Sequence, residues 1–107
     1  MKLALCSSGN SLDSSLSSFN HGASWIIFYD TQSKIIEIIP ISEPVSFDTI
    51  IQLFREKNID LLISSDFEQD LKPLLDKMKV RMVVFKDIEK KIKRLLKCFK
   101  PNKICRD

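Results

Sequence analysis

The chain of 107 residues has the size of one domain, and 44% of its residues are hydrophobic, which is enough to form a core. Its longest apolar runs fall short of the about 20 residues that a membrane-spanning helix needs, so we expect a cytoplasmic protein with no membrane segment. Three cysteines, an odd number without zinc-binding spacing, argue against a disulfide scaffold and indicate free thiols.

Five apolar segments have the composition of β-strands, namely 2–6, 25–30, 34–41, 60–64 and 80–85. Only three residues separate the second segment from the third, which predicts an antiparallel hairpin. The fourth segment is apolar at three successive positions, as central strands of parallel sheets are. A polar stretch from Ser7 to about Ser24 follows the first segment and holds both glycines of the chain and, up to Ser18, seven serines.

Apolar residues recur at helical spacing in three segments after the hairpin. Ser46 or Asp48 can cap the first helix. The second has an apolar face from 67 to 78 and accommodates Pro73 in its first turn, and the third runs from 87 to about 99. The resulting order, β-β-β-α-β-α-β-α, predicts an α/β fold with a five-stranded mixed sheet and three helices.

Positive charge is concentrated at the C-terminal end of the sequence. Residues 86–107 contain nine Lys and Arg against three Asp and Glu, a net charge of +6, whereas residues 1–85 carry −3. We expect residues 1–99 to form a single α/β domain and residues 100–107 a short basic tail. The basic face of the third helix suits an acidic partner protein or a polyanion. Because no aromatic residues are interleaved on that face, specific nucleic-acid binding is not expected.

Polar residues follow the first and the fourth predicted strands. If these strands are parallel neighbours, the loops after them share one rim of the sheet, where α/β proteins bind ligands. A structureless loop of about eighteen residues is uncommon in a compact domain and is typical of function or disorder. The candidate site consists of Cys6, Ser7, Ser8, Gly9, Asn10, Asp13, Asn20, His21, Ser64, Ser65 and Asp66.

His21 is the only histidine of the chain and lies in the polar loop. It is either an exposed loop residue or a ligand for a soft metal or a cluster, since neutral imidazole is a common ligand. One histidine without a suitably spaced second carboxylate or thiolate builds neither a hydrolytic triad nor a catalytic zinc site. We therefore expect a binding protein and not an enzyme.

The segment Cys6–Ser11 also has the character of a phosphate-binding loop after a first strand. Low-molecular-weight phosphatases use such a loop, but they need an arginine six residues after the cysteine, where this chain has Leu12. The phosphocysteine subunits of sugar phosphotransferase systems have a similar Cys-x-x-Gly-x-Ser loop, which leads directly into a helix. A phosphocysteine or anion-binding carrier centred on Cys6 is therefore an alternative.

The stretches Leu12–Ser14 and Phe19–Asp30 resemble the motifs of the dinitrogenase iron-molybdenum cofactor-binding family, of the NifX and NifB C-terminal type. The family pattern combines a first strand beginning Met-Lys-x-Ala, a Leu-Asp-Ser-x-Val-Ser motif, and Phe-Gly-His/Arg-Ala before an aromatic-led strand. The similarity continues in outline to about residue 86. The matching residues are Met1, Lys2, Ala4, Gly9, Leu12, Asp13, Ser14, Ser17, Phe19, His21 and Trp25.

The resemblance implies a ribonuclease H-like, three-layer α/β fold and a small non-catalytic carrier of an iron–sulfur or molybdenum-containing cluster. His21 would be a metal ligand and Cys6 a second one. Hydroxyl and backbone N–H groups of the loops would surround the anionic cargo, and we expect the protein to be a monomer. The cofactor-binding residues would be Cys6, Ser7, Ser8, Gly9, Asp13, Asn20, His21 and Ser65.

The chain departs from the family pattern at three places. Asn20 and Gly22 stand where the family motif has glycine and alanine, and Lys79 occupies a position before the fifth strand where glycine is usual. Residues 64–68 lack the glycines of the family and include Asp66 and Glu68. Because a bulky anionic cluster favours small residues and open backbone N–H groups, the loss of these glycines and the gain of Asp66 and Glu68 weigh against the family's ligand.

Overall fold

The structure is a computed structural model that describes residues 1–19, 23–41, 46–85 and 91–98. Residues 97 and 98 are described by their backbone alone. The predicted element order is confirmed. The elements are β1 (Lys2–Ser7), β2 (Trp25–Asp30), β3 (Ile36–Pro40), α1 (Phe47–Lys57), β4 (Leu61–Ser64), α2 (Lys72–Lys77), β5 (Arg81–Val84) and α3 (Ile92–Cys98).

The five strands form one mixed sheet in the order β3-β2-β1-β4-β5. β2 is antiparallel to both β1 and β3, as the short turn between β2 and β3 predicted. β4 is parallel to β1 and to β5. The mixed sheet and the parallel pairing of β1 with β4, on which the shared rim depends, are therefore confirmed.

The helices cover both faces of the sheet because successive side chains of a strand point to opposite sides. In β1, Ala4 and Cys6 belong to the core with α1 and α2, where Phe54 is fully buried. Leu3 and Leu5 belong to the second core, which α3 completes. The fold is therefore the three-layer α/β arrangement that we predicted.

The second helix starts later than its predicted apolar face. Phe67 is 48% exposed and lies outside the core, whereas Leu71 and Leu75 are fully buried. α2 begins after Leu71 because the carbonyl of Glu68 accepts the N–H groups of Leu71 and Lys72 in a turn. Pro73 lies in the first turn of the helix, as predicted.

The first residues of α3 are bonded to the polar loop after β1. Lys91 pairs with Ser15 in an isolated bridge, and the N–H groups of Ile92 and Lys93 donate to the carbonyls of Ser14 and Leu12. The loop carbonyls thus satisfy backbone donors that a helix start leaves free. The predicted start of this helix at 87 and the basic tail at 100–107 lie outside the described residues.

The backbone at Lys79 explains why a glycine suits this position. Lys79 has a φ of 61°, in the left-handed region, which costs a residue with a side chain about 1–2 kcal/mol. Glycine removes that strain but loses more entropy on folding, so we expect Lys79→Gly to raise the free energy of unfolding by about 0.5–1 kcal/mol. Urea unfolding measures the change. The matched control Lys77→Gly, at the end of α2, should lower the free energy of unfolding by up to about 1 kcal/mol. A free energy of unfolding for Lys79→Gly below that of the unaltered chain would refute the explanation.

Candidate functional site

The candidate site lies at the edge of the sheet where β1 and β4 end. The two strands are parallel, with Leu5 aligned to Ile63, so their carboxyl ends meet at one rim. Ser7 and Ser64 are the last residues of these strands, and both are fully buried. The structure therefore brings together the loops after β1 and β4, as the sequence predicted.

The loop after β1 is held together by its own serines. The Ser7 hydroxyl donates to the Gly9 carbonyl over 2.6 Å, and the Ser8 N–H donates to the Ser15 carbonyl over 3.1 Å. A Cβ at Gly9 would come within 2.5 Å of the Ser14 Oγ and 3.3 Å of its Cβ, so any other residue here would make the Ser14 side chain move. The described part of the loop forms turns and isolated bridges in place of a helix or a strand, and serine hydroxyls supply local bonds that a sheet would otherwise provide.

Residues 17–19, which we call the strap, cross between the ends of β1 and β4. The N–H of Ser17 donates to the Cys6 carbonyl over 2.8 Å, and the N–H of Ser65 donates to the Ser17 carbonyl over 2.9 Å. The N–H of Phe19 donates to a Glu68 carboxylate oxygen over 2.8 Å. The strap leads directly to Asn20 and His21, which lie outside the described residues, and their predicted roles stay predictions.

Glu68 lies inside the protein and not on the rim. Its side chain is 1% exposed and accepts hydrogen bonds from the Phe19 N–H and, over 3.1 Å, from the Ser64 hydroxyl. Glu68 therefore supplies a buried acceptor to Phe19 and Ser64 and no carboxylate to the rim surface. One feature of the sequence is consistent with this burial. Glu68 lies between the apolar residues of β4 and α2, and a carboxylate that is buried there needs hydrogen-bond donors.

Cys6 lies in the same buried group. Its side chain is fully buried, and burial raises the pKa of the Cys6 thiol well above its ordinary range. The neighbouring Glu68 charge raises this pKa further, whereas hydrogen bonds with the Ser64 side chain and the Phe19 backbone lower it and do not compensate. The thiol is therefore protonated at neutral pH, and the thiolate that binds metals requires a change of surroundings.

The other candidate residues differ in their exposure. Ser8, Asn10 and Asp13 are exposed, and Gly9, Ser65 and Asp66 are half-buried. Asp66 accepts the N–H of Phe67 through its carboxylate, in a local turn. Within the described ranges no three or more His, Cys, Asp and Glu side chains are grouped so that they could hold a metal ion. These ranges therefore supply polar rim groups without a preformed ligand set.

The fold defined by this sheet is shared with known structures. The NMR structure of a Thermotoga protein, provisionally assigned as NifB and placed in the DUF35 family, matches with a TM-score of 0.73 and 22% identity, over 92% of this chain and 85% of that one. The apo form of the orange protein from Desulfovibrio gigas matches with a TM-score of 0.72 and 14% identity, over the same shares. The crystal structure of PH0822 matches with a TM-score of 0.78 and 14% identity, over 100% of this chain and 96% of that one.

At these identities the likeness shows the fold alone. No protein-family model and no curated protein matches the sequence. In the part of the chain that the structure describes, no helix is long and apolar enough to cross a membrane. The chain thus has the fold of the NifB-type and orange-protein structures.

Proposed function

We propose that this chain is a small non-catalytic binding protein that carries an iron–sulfur or molybdenum-containing cluster as cargo at the rim formed by β1 and β4. One observation carries the proposal. Beside the parallel pairing of β1 with β4, the Ser65 N–H donates to the Ser17 carbonyl, so residues 12–19, the described part of the loop with the family motif, meet Ser65 where α/β folds bind ligands.

The structural neighbours support the same function without sharing enough sequence to establish it. One of them is provisionally assigned as NifB, and another is described as an apo form, a term for a protein without its ligand. The described part of the motif that resembles the cofactor-binding family, up to Phe19, lies on the loop that meets the end of β4. Fold and motif thus favour one kind of cargo.

In this proposal His21 is the principal metal ligand, since a neutral imidazole binds iron readily. Cys6 contributes a thiolate once its buried surroundings open. Ser8, Gly9 and Ser65 lie at the rim, where their N–H groups donate to Ser15, Ser7 and Ser17 and the Ser8 hydroxyl donates to Ser15. An anionic cluster would be bound by these groups in exchange for those internal bonds. The proposal assigns no reaction to these residues, and it needs only one copy of the chain.

Anaerobic reconstitution tests the function. The full chain is incubated with ferrous iron and sulfide, with and without molybdate, desalted, and analysed for metal content and visible absorption. We expect a coloured protein with bound iron in a fixed ratio to the chain. Metal content no higher than that of an unrelated small protein treated in parallel, with or without molybdate, would refute the proposal.

The phosphocysteine alternative is not favoured by the structure. It requires a reactive thiol and a helix directly after the cysteine loop. Cys6 is fully buried, and the described residues 11–19 and 23–25 contain no α-helix. A phosphoryl donor therefore has no access to the thiol in this conformation.

A second candidate function, docking of an acidic partner protein, is favoured by the surface of α3. Lys91, Lys93 and Arg94 are all exposed around its first turn. Positive charges on one surface attract acidic partners and polyanions through screened electrostatic forces. This surface adjoins the rim loop, since the loop carbonyls accept the N–H groups of 92 and 93.

Charge reversal at α3 should weaken the binding of polyanions. We expect the double variant Lys91→Glu with Lys93→Glu to elute earlier from heparin and to reduce the log–log salt slope of binding by roughly two, about one per lost contact. Heparin affinity at several salt concentrations measures this. The matched control reverses Lys77 and Lys79, which are exposed near α2. Equal losses in the two double variants would show that only net charge matters and would remove α3 as a docking surface.

A further inference from the structure

We propose that Glu68 is a positioning residue that holds the strap, residues 17–19, closed over Cys6, and that Cys6 becomes available to a soft metal only when the strap leaves Glu68. The inference deepens the proposed function, because it rests on Cys6 being a ligand of the cargo. It assigns to a buried carboxylate the regulation of access to that ligand.

Glu68, the Phe19 N–H, Ser64 and Cys6 form one buried polar cluster. Glu68 accepts the Phe19 N–H over 2.8 Å and the Ser64 hydroxyl over 3.1 Å, and it is 1% exposed. Cys6 interacts with Glu68 itself, through its charge, and with both partners of Glu68, the Ser64 side chain and the Phe19 backbone. The Phe19 N–H therefore lies where the strap, the carboxylate and the thiol meet.

The strap is attached by backbone bonds along its length and by a side-chain acceptor at Phe19. The Ser18 carbonyl accepts the Ala23 N–H over 2.9 Å. Ser17 and Ser65 contribute two backbone bonds, at 2.8 and 2.9 Å. The bond from Phe19 to Glu68 has a carboxylate as its acceptor, and such bonds are stronger than those between neutral groups. Removing this acceptor therefore weakens the strap at Phe19, the end that lies beside the Cys6 thiol.

The burial of Cys6 limits the access of reagents to its thiol. Phe19 packs against the core that contains Cys6, and Cys6 itself has no exposed surface. Loop segments outside helices and strands can open locally with free energies below that of global unfolding. If the strap is such a segment, the thiol is reached through local opening while the sheet stays folded.

Alkylation of Cys6 tests this without any metal, so its result is independent of whether a cluster binds. The folded full chain is treated with iodoacetamide, and labelling of the Cys6 peptide is followed by mass spectrometry at several low urea concentrations. For Glu68→Ala we expect labelling about tenfold faster than in the unaltered chain, the factor expected when one hydrogen bond to a charged group is lost. Glu68→Gln retains an acceptor oxygen and should lie closer to the unaltered chain. Asp70→Ala, an exposed neighbouring acid, should have no effect.

The urea dependence of labelling distinguishes local opening of the strap from global unfolding. Local opening exposes little surface, so its rate changes little at low urea, whereas opening by global unfolding increases with the full urea slope. Labelling that increases with the full slope in every variant, or that is unchanged in Glu68→Ala, would overturn the proposal. If Glu68→Ala does not fold, hydrogen exchange in the unaltered chain decides the question. The Phe19 amide should then exchange faster than the Leu5 amide in the central strand, and equal rates would refute the strap.

Discussion

Replacing Phe54 by alanine should lower the free energy of unfolding by about 3–5 kcal/mol, the range for removing a buried aromatic ring. Phe54 has no exposed surface, and its ring meets that of Phe28 edge to face, with centroids 6.3 Å apart and planes at 82°. The substitution leaves a cavity between α1 and β2 and removes this aromatic pair. Since a small domain has a stability of about 5–15 kcal/mol, we expect a thermal midpoint lower by more than about 10 °C.

The matched control for this prediction is Phe67→Ala. Phe67 is the same residue type but is 48% exposed and lies outside both cores. Its truncation should cost less than about 1 kcal/mol, since exposed substitutions away from special features have small effects. Chemical and thermal unfolding followed by circular dichroism measure both variants. Similar losses for the two phenylalanines would contradict the assignment of Phe54 to the core with α1 and α2.

Replacing His21 by alanine should reduce the affinity for a reconstituted cluster by roughly a hundredfold or more. The proposed role of His21 is direct ligation, and removing even the outer partners of a metal ligand costs about 10–100-fold in affinity. Competition with an iron chelator under anaerobic conditions measures the loss. Asn10→Ala is the matched control, because Asn10 is an exposed polar residue of the same loop without a proposed ligand role. Unchanged chelator resistance in His21→Ala would exclude His21 as a ligand.

The spacing of apolar residues and the composition of the segments were enough to predict the sheet. The apolar segments after the hairpin alternate between strand and helix patterns, and right-handed crossovers leave few ways to arrange them. The short turn at Thr31–Ser33 predicted the β2–β3 hairpin in the same way. These signals are local in sequence, so no knowledge of distant contacts was needed.

The interior of the candidate site could not be predicted in this way. The bond from Phe19 to Glu68 joins residues 49 positions apart, and nothing near either residue in the sequence indicates the partner. The serines after β1 were interpreted as free rim groups, but the Ser7 hydroxyl is bonded to Gly9 within the loop. Such side-chain bonds depend on the folded path of the loop, which composition does not determine.

The contacts at the start of α3 also could not be predicted from the sequence. A helical pattern in the sequence shows which residues face the core, and Ile92 and Leu95 are buried as that pattern predicts. It does not show that the carbonyls of Leu12 and Ser14 cap the helix, because the cap comes from a distant loop. Contacts of this kind connect the rim to the basic surface and become visible only in the folded protein.

Amide chemical shifts of the uniformly labelled chain, before and after anaerobic loading with iron and sulfide, test the central claim most directly. Binding at the rim predicts shifted or broadened signals for Ser8, Gly9 and Ser65, while Lys2 and Ile36 at the opposite edge of the sheet remain unchanged. A paramagnetic cluster would accentuate this contrast because its broadening decreases steeply with distance. Loading that leaves the rim signals unchanged, or that perturbs α3 or the opposite edge instead, would contradict the proposal that this rim holds the cluster.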